Sequence, residues 1–185
     1  MREDVKKSPE RFAVVIPAYN HHQRVGDVVK KAKVLGFPIF VIDDGSTDST
    51  DDILKKIKGI TLLRHDINRG KGAALITGFT AAAACADWAI TIDADGQHNP
   101  KDAENLIHAL IKNKELSAEQ SKISTLNRPI VVGTRQDMVG PDVPWTSRFG
   151  RGFSNFWVWA SGGPLISDSQ SGFRMSRYRK PCNGT

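Results

Sequence analysis

Asp93 and Asp95 stand one residue apart in the stretch WAITIDADGQHNPK (residues 88–101), directly after the apolar positions Ala89, Ile90 and Ile92. Carboxylates this close repel one another unless a cation lies between them. Hard cations such as Mg2+ or Mn2+ take oxygen ligands and share their coordination shell with substrate phosphates. The spacing therefore suggests a metal–phosphate site, against the plainer alternative that Asp-Ala-Asp-Gly is only a polar turn closing a strand. A second acidic pair, Asp43-Asp44, follows the apolar run 39–42, and Ala18-Tyr19-Asn20 follows the apolar run 11–17. Three polar clusters at the ends of apolar runs describe a crevice along one sheet edge, which is where open α/β sheets bind ligands. That convergence favours the metal at Asp93 and Asp95. Asp44 can accept hydrogen bonds from a base imide or a ribose hydroxyl, and the same turn can cap a helix. Tyr19 suits stacking on a base or packing in the core.

Other groups add charge around this mouth. Gly70-Lys71-Gly72 can bring backbone and an ammonium close to a phosphate, although neither a P-loop nor a dinucleotide fingerprint is present: His65 stands where the first P-loop glycine belongs, and Gly72 follows Lys71 where Ser or Thr is required. Lys71 is read as a nucleotide or phosphate contact, with a solvated loop lysine as the alternative. Arg135, Arg148 and Arg151 suit a phosphate-bearing acceptor or a diphosphate, with ordinary surface arginines as the alternative. The five histidines show no metal-ligand spacing; His98 borders the acidic stretch and the others read as surface.

These groups need a scaffold, and the pattern supplies one. Apolar runs at 11–17, 39–42, 60–63, 89–92 and 130–132 read as strands, the first being the continuous kind expected of a buried parallel strand. Between them lie helical patterns. Val25, Val28, Val29, Ala32 and Leu35 mark one, stopped by Gly36 and Pro38; Ile53, Leu54 and Ile57 mark another that starts near 48–50; residues 73–85 form a third. Asn99 and Pro100 open a fourth, with Ala103, Leu106, Ile107 and Leu110 on its buried side. The β-α-β-α-β-α-β-α-β alternation specifies a parallel sheet with helices on both faces. From Gly140 the pattern changes to an aromatic amphipathic helix over 147–160, suited to the core, to a lid or to contact with a membrane surface, and then to a polar turn over 168–174.

Composition sets the outer limits. The chain has 185 residues, 39% hydrophobic and 25% charged, enough for one soluble domain. A net charge of +6 is modest, and its basic residues are scattered, so nucleic acid is not an expected partner. Two cysteines exclude a disulfide framework and fit a cytoplasmic setting. The polar start, MREDVKKSPE, lacks the apolar core of a signal peptide. The most apolar run, 79–92, falls short of the roughly 20 residues needed to cross a bilayer.

Taken in order, VVIPAYN, VIDDGSTDST, NRGKGAAL, TIDADGQHNP, VVGTR and DSQSGFR resemble the GT-A domain of inverting family 2 glycosyltransferases, especially the dolichol- or polyprenyl-phosphate sugar synthases. The resemblance implies a GT-A, Rossmann-like sheet over 11–177, between a polar tail at 1–10 and a tail at 178–185, incomplete at its C-terminus. It implies that Pro17, Ala18, Tyr19 and Asp44 line the nucleotide pocket, that Asp93, Asp95 and Gln97 hold Mg2+ or Mn2+ and through it the donor diphosphate, and that Arg174 lies by the donor phosphates. Arg135 and Arg148 match arginines that receive the acceptor phosphate. The expected reaction is metal-dependent, inverting transfer from a UDP- or GDP-linked sugar to a polyprenyl phosphate, at the cytoplasmic face of a membrane through peripheral contact. A hydroxyl acceptor would need a base, for which Asp168 is the candidate. Two departures stand out: His21-His22 replaces the family's acidic residue after PAYN, and the tail diverges after SGFR. The alternatives are a nucleotide-sugar-binding module without turnover and a haloacid-dehalogenase-type phosphatase, whose Asp-x-Asp-Gly normally sits on the first strand and wants Thr or Val at the position of Gln97.

Overall fold

Every residue of strand β1 (Phe12–Ala18) is buried, because apolar layers cover both of its faces. The computed structural model describes residues 10–97, 102–108, 111–112, 130–132 and 174–177. Alternate side chains of β1 point to opposite layers. Phe12, Val14, Ile16 and Ala18 join a cluster with Val25, Val28, Val29 and Ala32 of α1 (Val25–Ala32), Leu54 of α2 (Thr50–Lys55), and Ala103 and Ile107 of the helical residues 102–108. Ala13 and Val15 join the opposite layer, under α3 (Lys71–Ala82). The buried stripe of α3 is Ala74, Gly78 and Ala82, residues small enough to let the helix lie close on the sheet. A Cβ at Gly78 would come within 2.5 Å of both Val15 Cγ1 and Ile42 Cδ1.

The sheet contains β2 (Ile39–Asp43), β3 (Thr61–Arg64), β4 (Trp88–Thr91), β5 (Ile130–Val132) and β6 (Arg174–Arg177), in the order β3-β2-β1-β4-β6-β5. β3, β2, β1 and β4 are mutually parallel, as the alternating pattern requires. The outer pair departs from that pattern. β6 runs antiparallel to both β4 and β5 and separates them, so β5 is not the next parallel neighbour and Arg174 begins a strand rather than ending a turn. Strands of three and four residues carry too little periodicity to reveal direction, and their pairing partners lie far away in sequence.

Helix ends follow their local chemistry. After α1 a 3-10 turn, Lys33–Leu35, ends at Gly36, whose φ of +68° supplies the left-handed cap that the glycine predicts. Asp48 accepts the Thr50 N–H at 2.9 Å, confirming the turn over 48–50 as the start of α2. Lys71, expected in a loop, is the first residue of α3. Among the described residues no helix is long and apolar enough to cross a membrane.

Candidate active site

The chain lays β1, β2 and β3 to one side and then places β4 on the other side of β1, so the connection reverses between β1 and β4. Ligands bind at such a switch point, outside the carboxyl ends of the strands. Backbone chemistry opens the crevice there. Val14 bonds toward β2 and Val15 toward β4, and alternation puts position 17 on the β4 side, where proline has no N–H to offer. Pairing between β1 and β4 therefore ends at this level, and the two chains part.

Into the gap face Pro17, Ala18, Tyr19, His21, Asp44, Asn68, Lys71, Asp93 and Asp95, around a cleft of about 330 Å3. Of the nine expected nucleotide-side and metal-side residues, seven from four separate segments, Pro17, Ala18, Tyr19, Asp44, Lys71, Asp93 and Asp95, thus line one cleft. Tyr19 lines the cleft and is 41% exposed, so it does not pack in the core. Gln97 is exposed and outside that lining; its backbone N–H donates to Asp95 Oδ1 at 2.9 Å. The backbone of Arg174 pairs with Thr91, two residues before Asp93. Arg135, Arg148, Arg151, Asp168 and His98 lie outside the described residues, as does the aromatic segment 147–160.

Asp44 is 2% exposed and surrounded by donors. Its Oδ1 accepts the Arg69 N–H at 3.0 Å and the Nδ1 of His65 at 2.6 Å. Burial pushes the carboxyl up, but the Arg69 N–H, the His65 ring and the Gly70 N–H together outweigh it and hold the group below the usual carboxylate range. Asp44 is thus an ionised, acceptor-only group at the cleft. Such a carboxylate offers no proton, so His65 Nδ1 carries the hydrogen. In the neutral ring, Nε2 then accepts from the Thr77 hydroxyl at 2.9 Å.

His65 corrects the expectation that the histidines other than His98 are surface groups: it is 7% exposed. The signal for it was its position, one residue past β3 at the same sheet edge as Asp44. Asn20, read from the sequence only as part of the first strand-end cluster, has a structural role of its own. It adopts φ +55° and clamps two strand-end turns together, its Oδ1 accepting the Thr47 N–H at 2.9 Å and its own N–H donating to Ser46 Oγ at 3.0 Å. His22 Nδ1 lies 2.7 Å from Asp48 Oδ2. Behind them, Asp43 Oδ1 accepts the Ser46 N–H at 3.0 Å, and Arg64 pairs with Asp51.

On the opposite wall, Lys71 Nζ lies 2.7 Å from Asp93 Oδ1, and Arg24 donates to the Asp95 carbonyl at 3.1 Å. Among the described residues no three or more His, Cys, Asp or Glu side chains gather into a cage. Mg2+ needs no cage, since one or two carboxylates with substrate phosphates and water suffice. Asp93 and Asp95 meet that requirement, and Asp93 already accommodates a positive charge.

A parallel-cored sheet with a carboxylate-rimmed cleft at its switch point is the GT-A arrangement. The fold matches glucosyl-3-phosphoglycerate synthase from Mycobacterium tuberculosis, solved with Mn2+ and UDP-glucose, at a TM-score of 0.64 and 20% identity, over 94% of this chain and 58% of that one. The chain belongs to glycosyl transferase family 2, whose family model matches residues 13–175. It is 36% identical over 171 residues to an uncharacterised protein of Methanocaldococcus jannaschii, covering 91% of this chain and 65% of that protein. It is 30% identical over 181 residues to the UDP-N-acetylglucosamine–dolichyl-phosphate N-acetylglucosaminyltransferase of Methanococcus voltae, covering 87% and 67%. The chain thus spans about two thirds of these relatives. Family membership and the placement of Asp93 after the fourth strand set aside the phosphatase alternative.

Proposed function

We propose that this chain is the nucleotide-sugar-binding and catalytic domain of a metal-dependent, inverting glycosyltransferase whose acceptor is a polyprenyl phosphate. The observation that carries the reading is the convergence of Asp44, Lys71, Asp93 and Asp95 on one cleft. The naming of the M. voltae relative as a dolichyl-phosphate transferase supports the acceptor class.

In this reading Asp44 accepts a base N–H or a ribose hydroxyl, and its ionised state makes it selective for donors over acceptors. Pro17, Ala18 and Tyr19 form the floor on which the nucleoside lies. Asp93 and Asp95, with Gln97 close by, hold Mg2+ or Mn2+. Once bound, the cation supplies charge neutralisation to the departing diphosphate. Lys71 and Arg174 add positive charge on the donor phosphates; Arg135, Arg148 and Arg151 receive the acceptor phosphate. A phosphate acceptor is already ionised near neutral pH and attacks from the face opposite the leaving group, inverting the anomeric centre. Should the acceptor be a hydroxyl, Asp168 is the base. Contact with the lipid places the domain at a membrane surface.

The test is transfer from UDP- and GDP-linked sugars to dolichyl phosphate in detergent, with Mg2+ or Mn2+ and with EDTA. Product should form only with metal, and Asp95→Ala should lower the rate by about 100-fold or more. Turnover in EDTA, or undiminished turnover in Asp95→Ala, overturns the mechanism. Calorimetric donor binding with no product under any condition would make the chain a nucleotide-sugar-binding module instead.

A further inference from the structure

Lys71 Nζ sits 2.7 Å from Asp93 Oδ1, on a side chain that is 19% exposed, while the lysine side chain itself is 55% exposed. Lys71 is the first residue of α3, and its flexible stem leaves the head free to swing across the cleft mouth. A second cation among the described residues, Arg24, is engaged with the Asp95 backbone carbonyl. Asp95 Oδ1 accepts the Gln97 N–H. Lys71 therefore puts a positive charge directly on the Asp93 carboxylate.

We infer that Lys71 is a built-in stand-in for the divalent cation: it neutralises Asp93 while the cleft lacks a donor and yields that position when donor and metal arrive together. The inference rests on the metal reading of Asp93 and Asp95. An ammonium in contact with Asp93 Oδ1 and a divalent cation at bonding distance to the same carboxylate repel each other, so the lysine must leave for the metal to enter. Leaving costs the ammonium its carboxylate partner unless another anion takes that place. A nucleoside diphosphate entering the same cleft supplies that anion, and the ammonium moves from carboxylate to phosphate. Lys71 thus makes metal and nucleotide bind with positive coupling, each raising the other's affinity by the same factor, and keeps the cleft from filling with metal alone.

Binding of Mn2+ to the full chain, read by the loss of the free-ion electron paramagnetic resonance signal, tests this with and without UDP. Without UDP, Lys71→Met should bind Mn2+ about fivefold more tightly than the native chain, the size expected for releasing a partly exposed ion pair. With UDP the order should reverse, because the diphosphate has lost its ammonium. Lys71→Arg, which keeps the charge, and Arg69→Met, which removes an exposed neighbouring one, should bind Mn2+ alone within about twofold of the native chain. If Lys71→Met binds Mn2+ alone no more tightly than the native chain while native chain with UDP binds it normally, the stand-in role is refuted and the metal site stands. If Lys71→Met and Arg69→Met gain equally, the effect is long-range charge and the specific pairing is refuted. If no form binds Mn2+ even with UDP, the metal reading falls and takes the inference with it.

Discussion

Gly45→Ala probes how the site is held together. Gly45 follows Asp44 with φ +71°, and an ideal Cβ there would lie 2.4 Å from the Ile67 carbonyl carbon and 2.6 Å from the Asn68 nitrogen. The left-handed conformation alone costs an alanine about 1 kcal/mol. Ordinary carbon contacts need about 3.5 Å or more, so the loop carrying Ile67 and Asn68 must retreat by about 1 Å. Those atoms are backbone and cannot rotate aside. The retreat pulls on the Arg69 N–H, whose bond to Asp44 Oδ1 spans 3.0 Å. A hydrogen bond to a charged group contributes about 1.5–3 kcal/mol, so the substitution should cost about 3 kcal/mol in all.

Gly36→Ala is the matched control. Gly36 has nearly the same φ, +68°, but nothing lies within 4 Å of its Cβ position. It should lose only the conformational part, about 1 kcal/mol. Urea denaturation of both variants measures the difference, and calorimetry with UDP and Mn2+ should show affinity falling about tenfold in Gly45→Ala and staying unchanged in Gly36→Ala. Destabilisation by Gly45→Ala within about 0.5 kcal/mol of the control would refute the claim that the 65–70 loop rests on this glycine.

Two further outcomes follow from the charged groups. His65→Ala removes a donor from a carboxylate that is 2% exposed, so stability should drop by about 2–3 kcal/mol and the Asp44 carboxyl should titrate at higher pH, as followed by carbon NMR; an unshifted titration would show that the His65 contact is incidental. Asp44 and Asp48 both sit below the ordinary carboxylate value in the folded chain: at each, burial is outweighed by hydrogen bonds, from Arg69, His65 and Gly70 to Asp44 and from Thr50 and His22 to Asp48. As pH falls the unfolded chain therefore takes up protons first, and the stabilisation, complete above about pH 5, is lost as pH drops through the folded values. The urea midpoint should fall on acidification below about pH 4 to 5, less steeply in Asp48→Asn; identical slopes would refute that account of Asp48.

Where local chemistry decides the structure, the sequence was legible. The continuous apolar runs at 11–17 and 39–42 and the small-residue helix after Gly72 are patterns with one economical solution, burial on a parallel sheet. The strand-end acids Asp44, Asp93 and Asp95 could be placed at one edge because parallel strands share their carboxyl ends. Direction and neighbour in the outer sheet were not legible. β6 follows β5 by more than 40 residues, and nothing in RMSR says that it enters between β4 and β5 rather than beyond them.

The same distinction explains why His65 was missed while Asp44 was found. An aspartate at a strand end faces a cleft by virtue of the strand alone. A histidine in the polar stretch RHDINRG is buried only because the loop folds down onto Gly45, and that close approach is a relation between residues 45 and 67–68 that neither segment displays alone. Once it is made, the loop brings four separate groups to the cleft: the His65 ring and the Arg69 N–H to Asp44, Asn68 to the cleft wall, and Lys71 to Asp93 at the start of α3. The glycine after Asp44 is therefore as much a part of the cleft as the carboxylate before it, because it sets the distance between the Asp44 side and the Asp93 side.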